Sequence, residues 1–484
     1  MTARPILLKV LLRQRHWQPH ATFCDEYDKA ARTVDARLVG SWPSRAQFHR
    51  WLSGELRGLP YSHHCRVLEQ MFPGWRAAAL FAACPDDVAA MLDAPVVADP
   101  GDASGSALTP LSQGIEWERY PVSAGESVRL LESLTGADLG DDAGVMRAVW
   151  APSAAPTAIM GYLFGTGPGL VTGEHEPARG AAAVAAIRTT TAHLTDLDFT
   201  FGGGYTRRML LFYFRSDVVP VLRASHPERT RREIFSAAAE VAQLIGWSAY
   251  DAGRHGAAQR YFVQGLRLAR EADDHMLGAT ILSNLSHQAN YLGRFADAAQ
   301  LARAAQSETL GRHSPTVMTL LLAMEARALA SSGDERECAA VLNRAEKVFA
   351  RRDPGSEPKW IEYFNAEELA GEAAHCFRDL GRSEETQVFA AQAIEPTNTP
   401  PRTRAFIGMV AAAGVLKEGD VDGAVGTAVR AVDLAGPLQS DRYLRYLTDF
   451  YASLTARVPK SAQAATFADC VHRHYPALDL ARTG

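Results

Sequence analysis

The sequence has few cysteines, and none of them is spaced like a pair. The six lie at Cys24, Cys65, Cys84, Cys338, Cys376 and Cys470. This scatter is not a disulfide framework, so it fits a reducing compartment, and we expect a cytoplasmic protein. Cys24 and the His-His-Cys run at 63–65 lack the paired C-x2-C or H-x3-H spacing of a zinc site, so we expect no metal.

Long apolar runs are also missing. No stretch approaches the roughly 18 apolar residues that a membrane-spanning helix needs, so we expect no membrane partner. The apolar patch within residues 1–17 is short and lacks a small-residue cleavage site, which argues against a signal peptide. With 47% hydrophobic and 22% charged residues over 484 positions, the composition predicts a folded chain of two or three domains.

Catalytic strings are absent too, since neither G-x-S-x-G nor H-E-x-x-H occurs. Two glycine-rich runs, FGTGPG at 164–169 and FGGG at 201–204, are not followed by Lys-Ser/Thr, which excludes a phosphate-binding P-loop. We expect the second run to start a helix at Thr206. We expect neither an enzyme nor a cofactor, and a catalytic site hidden in residues 120–204 is the least favoured of three interpretations.

Charge is unevenly distributed along the chain. Residues 1–80 contain twelve Lys and Arg against six Asp and Glu, a net charge of +6. The whole chain carries −5, which leaves −11 for the remainder. A basic segment before an acidic one is typical of a chain whose first domain meets a polyanion.

The segment Ser44–Leu56 predicts a short helix with one buried and one polar face. Its buried side has the i, i+3, i+4, i+7 spacing of Phe48, Trp51, Leu52 and Glu55. Ser44 stands at the N-cap, and the run Gly-Leu-Pro at 58–60 stops the helix from continuing. Arginine can donate two hydrogen bonds to guanine and glutamine can pair with adenine, so the polar face suits the major groove of DNA.

The remaining patterns divide the chain into four parts. Helices at 5–16, from Pro19 and at 61–71 complete a first domain over 1–85, with Phe23 and Tyr27 among its buried residues. Residues 86–118, rich in Asp, Gly, Ser and Pro, predict a flexible linker. The middle region, 119–229, is mostly helical: Ser123 caps a helix, whereas 140–180 fits either strands or short helices.

The fourth part, 230–478, is a repeat array. Turn glycines recur at 40, 40, 48 and 38 residue intervals, at Gly253, Gly293, Gly333, Gly381 and Gly419. Each glycine ends one helix and precedes another that is rich in alanine, so the pattern predicts antiparallel helix pairs stacked side by side. Helices at 440–456 and 461–474 cap the stack.

Two parts of the chain resemble known families. The run S-R-x-x-F-x-R-W-x-x-G at 44–54 resembles the recognition helix of Xre-type helix-turn-helix repressors, although the connection at 33–43 is longer than their usual turn. The array resembles tetratricopeptide repeats, with periods longer than the usual 34 residues. The phrases at 197–208, 246–262 and 371–381 are similar to streptomycete negative regulators of sporulation and antibiotic production.

The resemblance implies an all-α fold, an N-terminal helix-turn-helix bundle followed by a C-terminal tetratricopeptide-like α-solenoid. It also implies a repressor of development or secondary metabolism that binds double-stranded DNA. The base contacts would come from Arg45, Ala46 and Arg50, with Gln47 adjacent. Phosphate contacts would come from residues that position without specifying, namely Ser44, His49, Ser53 and Arg57.

Polar residues on the first helices of the repeats predict an effector site. Asparagine and glutamine side chains can clamp a peptide backbone, so the effector would be a peptide or a small molecule. The candidates are Asn284, Gln288, Tyr291, Arg327, Asn365 and Glu368. Because one short helix makes few base contacts, we expect a homodimer that reads two half-sites. The alternative is a protein-interaction scaffold that does not bind DNA.

Overall fold

The computed structural model describes residues 6–14, 17, 20–53, 58–72, 76–82, 117, 119–165, 177–309, 314–395 and 399–480. Over these residues the fold is helical and has no strand, which confirms the expected all-α class. The chain forms two compact units, 1–107 and 108–484, each with its own core. The expected linker at 86–118 lies outside the described residues except for Trp117, which is buried in the second unit.

The first unit is a small helical bundle. Its described helices are α1 (Leu7–Gln14), α2 (His20–Val34), α3 (Arg45–Ser53), α4 (Ser62–Met71) and the short α5 (Ala77–Leu80). Phe23 and Tyr27 of α2, Phe48 and Trp51 of α3 and Leu68 of α4 are each at most 5% exposed. The predicted burial of Phe48 and Trp51 is therefore confirmed, whereas Leu52 of the same predicted face is half-buried and Glu55 lies outside the described residues.

The second unit begins with a group of helices of unequal length. They are α6 (Ala124–Leu139), α7 (Ala143–Met146), α8 (Ala154–Phe164), α9 (Pro177–Phe201), α10 (Gly203–Tyr213) and α11 (Val219–Arg223). Ser123 caps α6 as expected, because its hydroxyl accepts a hydrogen bond from the Glu126 backbone N–H (3.2 Å).

Where the segment 140–180 is described, it forms helices rather than strands. Its described part contains α7 and α8, while 166–176 lies outside the described residues. Tyr162 of α8 is fully buried against Gly278, where an added Cβ would lie 1.9 Å from the tyrosine Oη. Only glycine at position 278 lets α8 approach this closely.

The helix expected to start at Thr206 differs from the observed structure in two places. It begins at Gly203 instead of Thr206, and it is interrupted by a π-helical turn over Phe214–Val218. Pro220 explains the interruption, since it has no N–H to continue the α-helical hydrogen bonds.

A solenoid-like array follows. Its helices are α12 (Glu228–Asp251), α13 (His255–Glu271), α14 (His275–Tyr291), α15 (Phe295–Glu308), α16 (Pro315–Ser331), α17 (Glu335–Phe349), α18 (Ala366–Leu380), α19 (Ser383–Gln392), α20 (Pro401–Glu418), α21 (Val421–Ala435), α22 (Asp441–Arg457) and α23 (Ala462–His474). The five predicted turn glycines all have φ between 72° and 104°, a left-handed conformation that favours glycine. None of the described helices has both the length and the apolarity needed to cross a bilayer.

The array closes on the helices that precede it. The Gln439 N–H donates to the Phe201 carbonyl (3.0 Å), and the Gly204 N–H donates to the Gln439 carbonyl (3.0 Å). Beside this contact the fully buried Asp251 carboxylate accepts hydrogen bonds from the Gly203 N–H (2.9 Å) and the Ser440 hydroxyl (2.8 Å).

Two buried arginines complete the surroundings of Asp251. Arg402 Nη2 lies 2.8 Å and Arg442 Nη1 lies 3.6 Å from its Oδ1 atom. Both arginines are less than 10% exposed, so the carboxylate is the counter-charge that allows them to be buried.

We expect Asp251→Asn to destabilise the second unit by about 3–5 kcal/mol, because it leaves two buried guanidinium groups without their counter-charge. Urea unfolding followed by circular dichroism at pH 7 measures the change. Asp449→Asn is the matched control, since that carboxylate is 70% exposed and, among the described residues, pairs only with Arg445 at 3.7 Å. Its effect should stay below about 1 kcal/mol. Equal effects of the two variants would contradict the role assigned to Asp251.

Candidate functional site

Helix α3 is fixed at its N-terminus by a reciprocal pair of hydrogen bonds. The Gln47 N–H donates to the Ser44 hydroxyl (3.3 Å), and the Ser44 N–H donates to the Gln47 Oε1 atom (3.1 Å). This is the capping-box arrangement, in which side chains satisfy two backbone donors that the helix itself cannot. The predicted N-cap at Ser44 is therefore confirmed.

Aromatic packing fixes which face of α3 points outward. The Phe48 ring lies 4.3 Å from the Phe23 ring, measured between centroids, and the Trp51 ring lies 5.1 Å from the His64 ring. With these side chains turned into the bundle, Arg45, Gln47 and Arg50 are exposed.

The other residues predicted to contact DNA are described only in part. Ser44 is exposed at the start of α3. Ala46, His49 and Ser53 have backbones within α3, but their side chains lie outside what the structure describes. Arg57 lies outside the described residues, as do the last positions of the predicted helix, which is described to Ser53.

A buried histidine packs against the inner face of α3. His64 on α4 is 7% exposed, and its Nδ1 atom lies 2.7 Å from the Tyr27 hydroxyl. Burial, with a smaller contribution from the charge of His63, lowers the pKa of His64 to about 4. The imidazole is therefore neutral at pH 7 where it packs on Trp51.

The second candidate site is a cavity of about 520 Å³ inside the second unit. We call it the central cavity. Its walls come from α9, α12, α14, α16, α18 and α20, from residues 359–364 and from Arg442 of α22. Its size is in the usual range for small-molecule sites, about 300–1,000 Å³.

The six predicted effector residues are divided between three environments. Asn284, Arg327 and Glu368 line the central cavity. Tyr291, again with Arg327, lines an adjacent cavity of about 730 Å³.

The remaining two predicted effector residues have structural contacts instead. Gln288 is fully buried and its Nε2 donates to the His255 carbonyl (2.7 Å). Asn365 caps α18, where its Oδ1 accepts from the Glu368 N–H (3.0 Å). Neither side chain lines the central cavity, because helix capping and interhelical bonding engage both.

Sequence reasoning missed Arg402 and Arg442, two of the most deeply buried cations of the central cavity. It also missed Arg188 and Asp198, which lie on α9, a helix that precedes the array in the sequence. The repeat pattern carries no signal for these residues, because a charged residue in a helix is by default expected on the solvent-exposed face.

Ionisable groups on the wall of the central cavity are partly paired. Arg327 donates to Glu372 (2.6 Å), and Arg188 donates to Glu240 (3.3 Å). Glu368 has no hydrogen bond or ion pair through its side chain among the described residues. Burial, and then the neighbouring charge of Glu372, raise its pKa to about 7.

A second carboxyl group of the cavity is also perturbed. Burial raises the pKa of Asp198 to about 6, and the Thr206 hydroxyl donates to its carboxylate (2.8 Å). Near pH 7 the cavity therefore contains two acids, Asp198 and Glu368, whose charge a bound molecule could change.

One cluster in the described part of the chain consists of residue types that can bind a metal ion. Ligand atoms of Asp433, Cys470 and His474 lie within 4.8 Å of one another. The Asp433 carboxylate already pairs with His474 Nε2 (2.9 Å) and lies 3.8 Å from Arg473, so ion pairing accounts for the arrangement.

No protein-family model matches the chain, and no curated protein is significantly similar to it.

We expect the stability of the first unit to fall by about 3 kcal/mol between pH 7 and pH 4, through His64 alone. Its folded-state pKa of about 4 lies below the unfolded value of 6.5, so the unfolded chain binds the extra proton. The stabilisation is complete above pH 6.5 and is lost as the pH falls. Hydrogen exchange of α2–α4 amides in the full chain measures it.

His64→Gln should remove most of this pH dependence, since the buried group no longer titrates. His63→Gln is the matched control and should retain it, because His63 is only half-buried on the same helix. An unchanged pH dependence in His64→Gln would rule out this assignment.

Proposed function

We propose that the chain is a sequence-specific DNA-binding transcriptional regulator, a repressor, whose first unit reads DNA through α3. The observation that carries the proposal is the two-faced construction of this helix. Phe48 and Trp51 are buried, whereas the Arg45 and Arg50 guanidinium groups and the Gln47 amide are exposed. A short helix with guanidinium and amide groups on its outer face has the size and chemistry to enter a major groove.

The charge distribution supports the same proposal. The net charge of +6 over residues 1–80 is opposite in sign to the DNA phosphates, whereas the rest of the chain carries a net negative charge that they would repel. Ser44, His49, Ser53 and Arg57 retain their proposed role as phosphate contacts that set the position of α3.

The second unit is proposed to be a tetratricopeptide-like domain that pairs two chains and senses an effector. Stacked helix pairs that end in left-handed glycine turns support this proposal. Dimerisation would place two copies of α3 on half-sites about one helical turn apart, which raises specificity above that of a single short helix.

The DNA site can be found by selection. Enrichment from a randomised 30-base-pair duplex library with the full chain gives a preferred site, and fluorescence anisotropy then measures binding between 50 and 200 mM salt. We expect the affinity to fall steeply with salt, because phosphate contacts release counterions. Arg50→Ala should reduce discrimination between the preferred site and scrambled DNA by about 5- to 150-fold.

Arg66→Ala is the matched control, since Arg66 is an exposed arginine of the same unit on α4. It should change affinity equally for both sequences and leave the discrimination intact. A chain that enriches no sequence and shows no salt-dependent binding would refute the proposal. If it nevertheless retained protein partners after deletion of residues 1–85, the scaffold alternative would replace it.

A further inference from the structure

We propose that the central cavity binds an organic monocarboxylate with an aromatic or aliphatic body. This inference deepens the effector-sensing part of the proposed function and names the chemistry of the effector. Ligand binding itself can be measured without DNA, so the two proposals can fail separately.

The central cavity has an excess of hydrogen-bond donors on its wall. Arg327, Arg402 and Arg442 line the cavity and are each at most 9% exposed. Each guanidinium group has five N–H donors. Among the described residues, the three groups together make a single hydrogen bond, from Arg327 Nη1 to Glu372.

The contacts with Asp251 do not remove this excess. Arg402 Nη2 is close enough to the Asp251 carboxylate for an ion pair but is not aligned for a hydrogen bond. Arg442 Nη1 is 3.6 Å away, beyond hydrogen-bond distance. The Nε atoms of all three arginines are buried without an acceptor. Buried donors without partners are costly, so an acceptor-rich ligand group at this wall would be stabilised.

The charged side chains of the lining limit the charge that a ligand can carry. The lining has as many carboxylate as cationic side chains, so it holds no surplus of positive charge to offset the burial of a second negative charge on the ligand. A single carboxylate avoids this penalty, and its two oxygens match the planar fork of a guanidinium group. The donor excess therefore favours an anion, and the charge balance limits it to one negative charge.

The cavity also has an apolar surface that would contact the rest of the ligand. Aromatic rings of Phe199, Trp247, Tyr363 and Phe406 and the aliphatic side chains of Leu320 and Ile407 share the cavity with the arginines. The half-buried Asn284 amide, which has no hydrogen-bond partner among the described residues, adds one polar contact. An apolar body of moderate size fits this surface, because a 520 Å³ cavity holds a small molecule rather than a folded segment.

A substitution of Glu368 can distinguish an anionic ligand from a cationic one. It faces Arg402 from α20 and Tyr363 from the preceding turn, and Glu367 and Glu372 lie on its own helix. Its carboxylate repels a bound anion, so removing the charge should strengthen binding of a carboxylate. The same change would weaken binding of an ammonium ion, which makes the sign of the effect a direct test of ligand charge.

The experiment uses the full chain and three probes of one shape: 4-phenylbutyrate, its neutral amide 4-phenylbutyramide and the cation 4-phenylbutylamine. Isothermal titration calorimetry at pH 7 compares them. We expect 4-phenylbutyrate to bind with a dissociation constant of roughly 0.1–1 mM, as suits a ligand of this size. Both other probes should bind at least about tenfold more weakly.

Two variants localise the binding. Glu368→Gln should tighten 4-phenylbutyrate binding by about three- to tenfold. Arg402→Lys should weaken it by about tenfold, because lysine keeps the charge beside Asp251 but loses the planar fork. Lys417→Gln is the matched control, since it removes an exposed cation from the adjacent cavity and should leave binding unchanged.

The proposal is overturned if the amide or the amine binds as well as the carboxylate, if Glu368→Gln weakens binding, or if none of the probes binds. DNA binding is measured separately from probe binding, by anisotropy on the selected duplex with and without 5 mM 4-phenylbutyrate. If the chain binds DNA but none of the probes, the carboxylate proposal alone fails. Probe binding by a chain that enriches no DNA sequence removes the proposed regulator and leaves the carboxylate site standing.

Discussion

The second unit depends on one buried carboxylate, that of Asp251. It accepts hydrogen bonds from the start of α10 and from the segment before α22, and it is the counter-charge of Arg402 and Arg442. The Ser440 contact spans 189 positions of sequence. A charge of this kind ties the two ends of a helical array together, because neither arginine could be buried without it.

The central cavity is a consequence of that closure. Its wall is not made by the stacked helix pairs alone, because α9, which precedes the array, and Arg442 of α22 contribute to it as well. The residues that hold the fold closed are also residues of the cavity wall, so occupation of the cavity and the closure of the array involve the same arginines. A ligand that bound there as proposed would therefore be coupled to the geometry of the whole unit.

Local patterns predicted the helices, while the central cavity required contacts that local patterns do not contain. Helix α3 was predictable because Ser44, Phe48 and Trp51 each follow a rule that operates within two turns. The turn glycines were predictable for the same reason. The role of Arg402 in the cavity wall was not predictable, because it depends on the contact with Asp251. That residue lies 151 positions earlier, and no sequence pattern around it indicates the contact. Gln288 and Asn365 were assigned to a ligand site, but interhelical bonding and capping engage them, and sequence alone does not distinguish these uses of an amide.

The capping box of α3 bears on the proposed reading of DNA. The Gln47 Oε1 atom accepts from the Ser44 N–H, which uses one of its two lone pairs and holds the side chain against the start of the helix. Adenine requires both an acceptor and a donor from a glutamine, whereas guanine presents two acceptors in the major groove. Arg45 and Arg50 on the same exposed face carry only donor groups. A glutamine held at the cap is less free to turn both amide groups toward adenine, so the proposed contact with DNA would favour guanine in the half-sites.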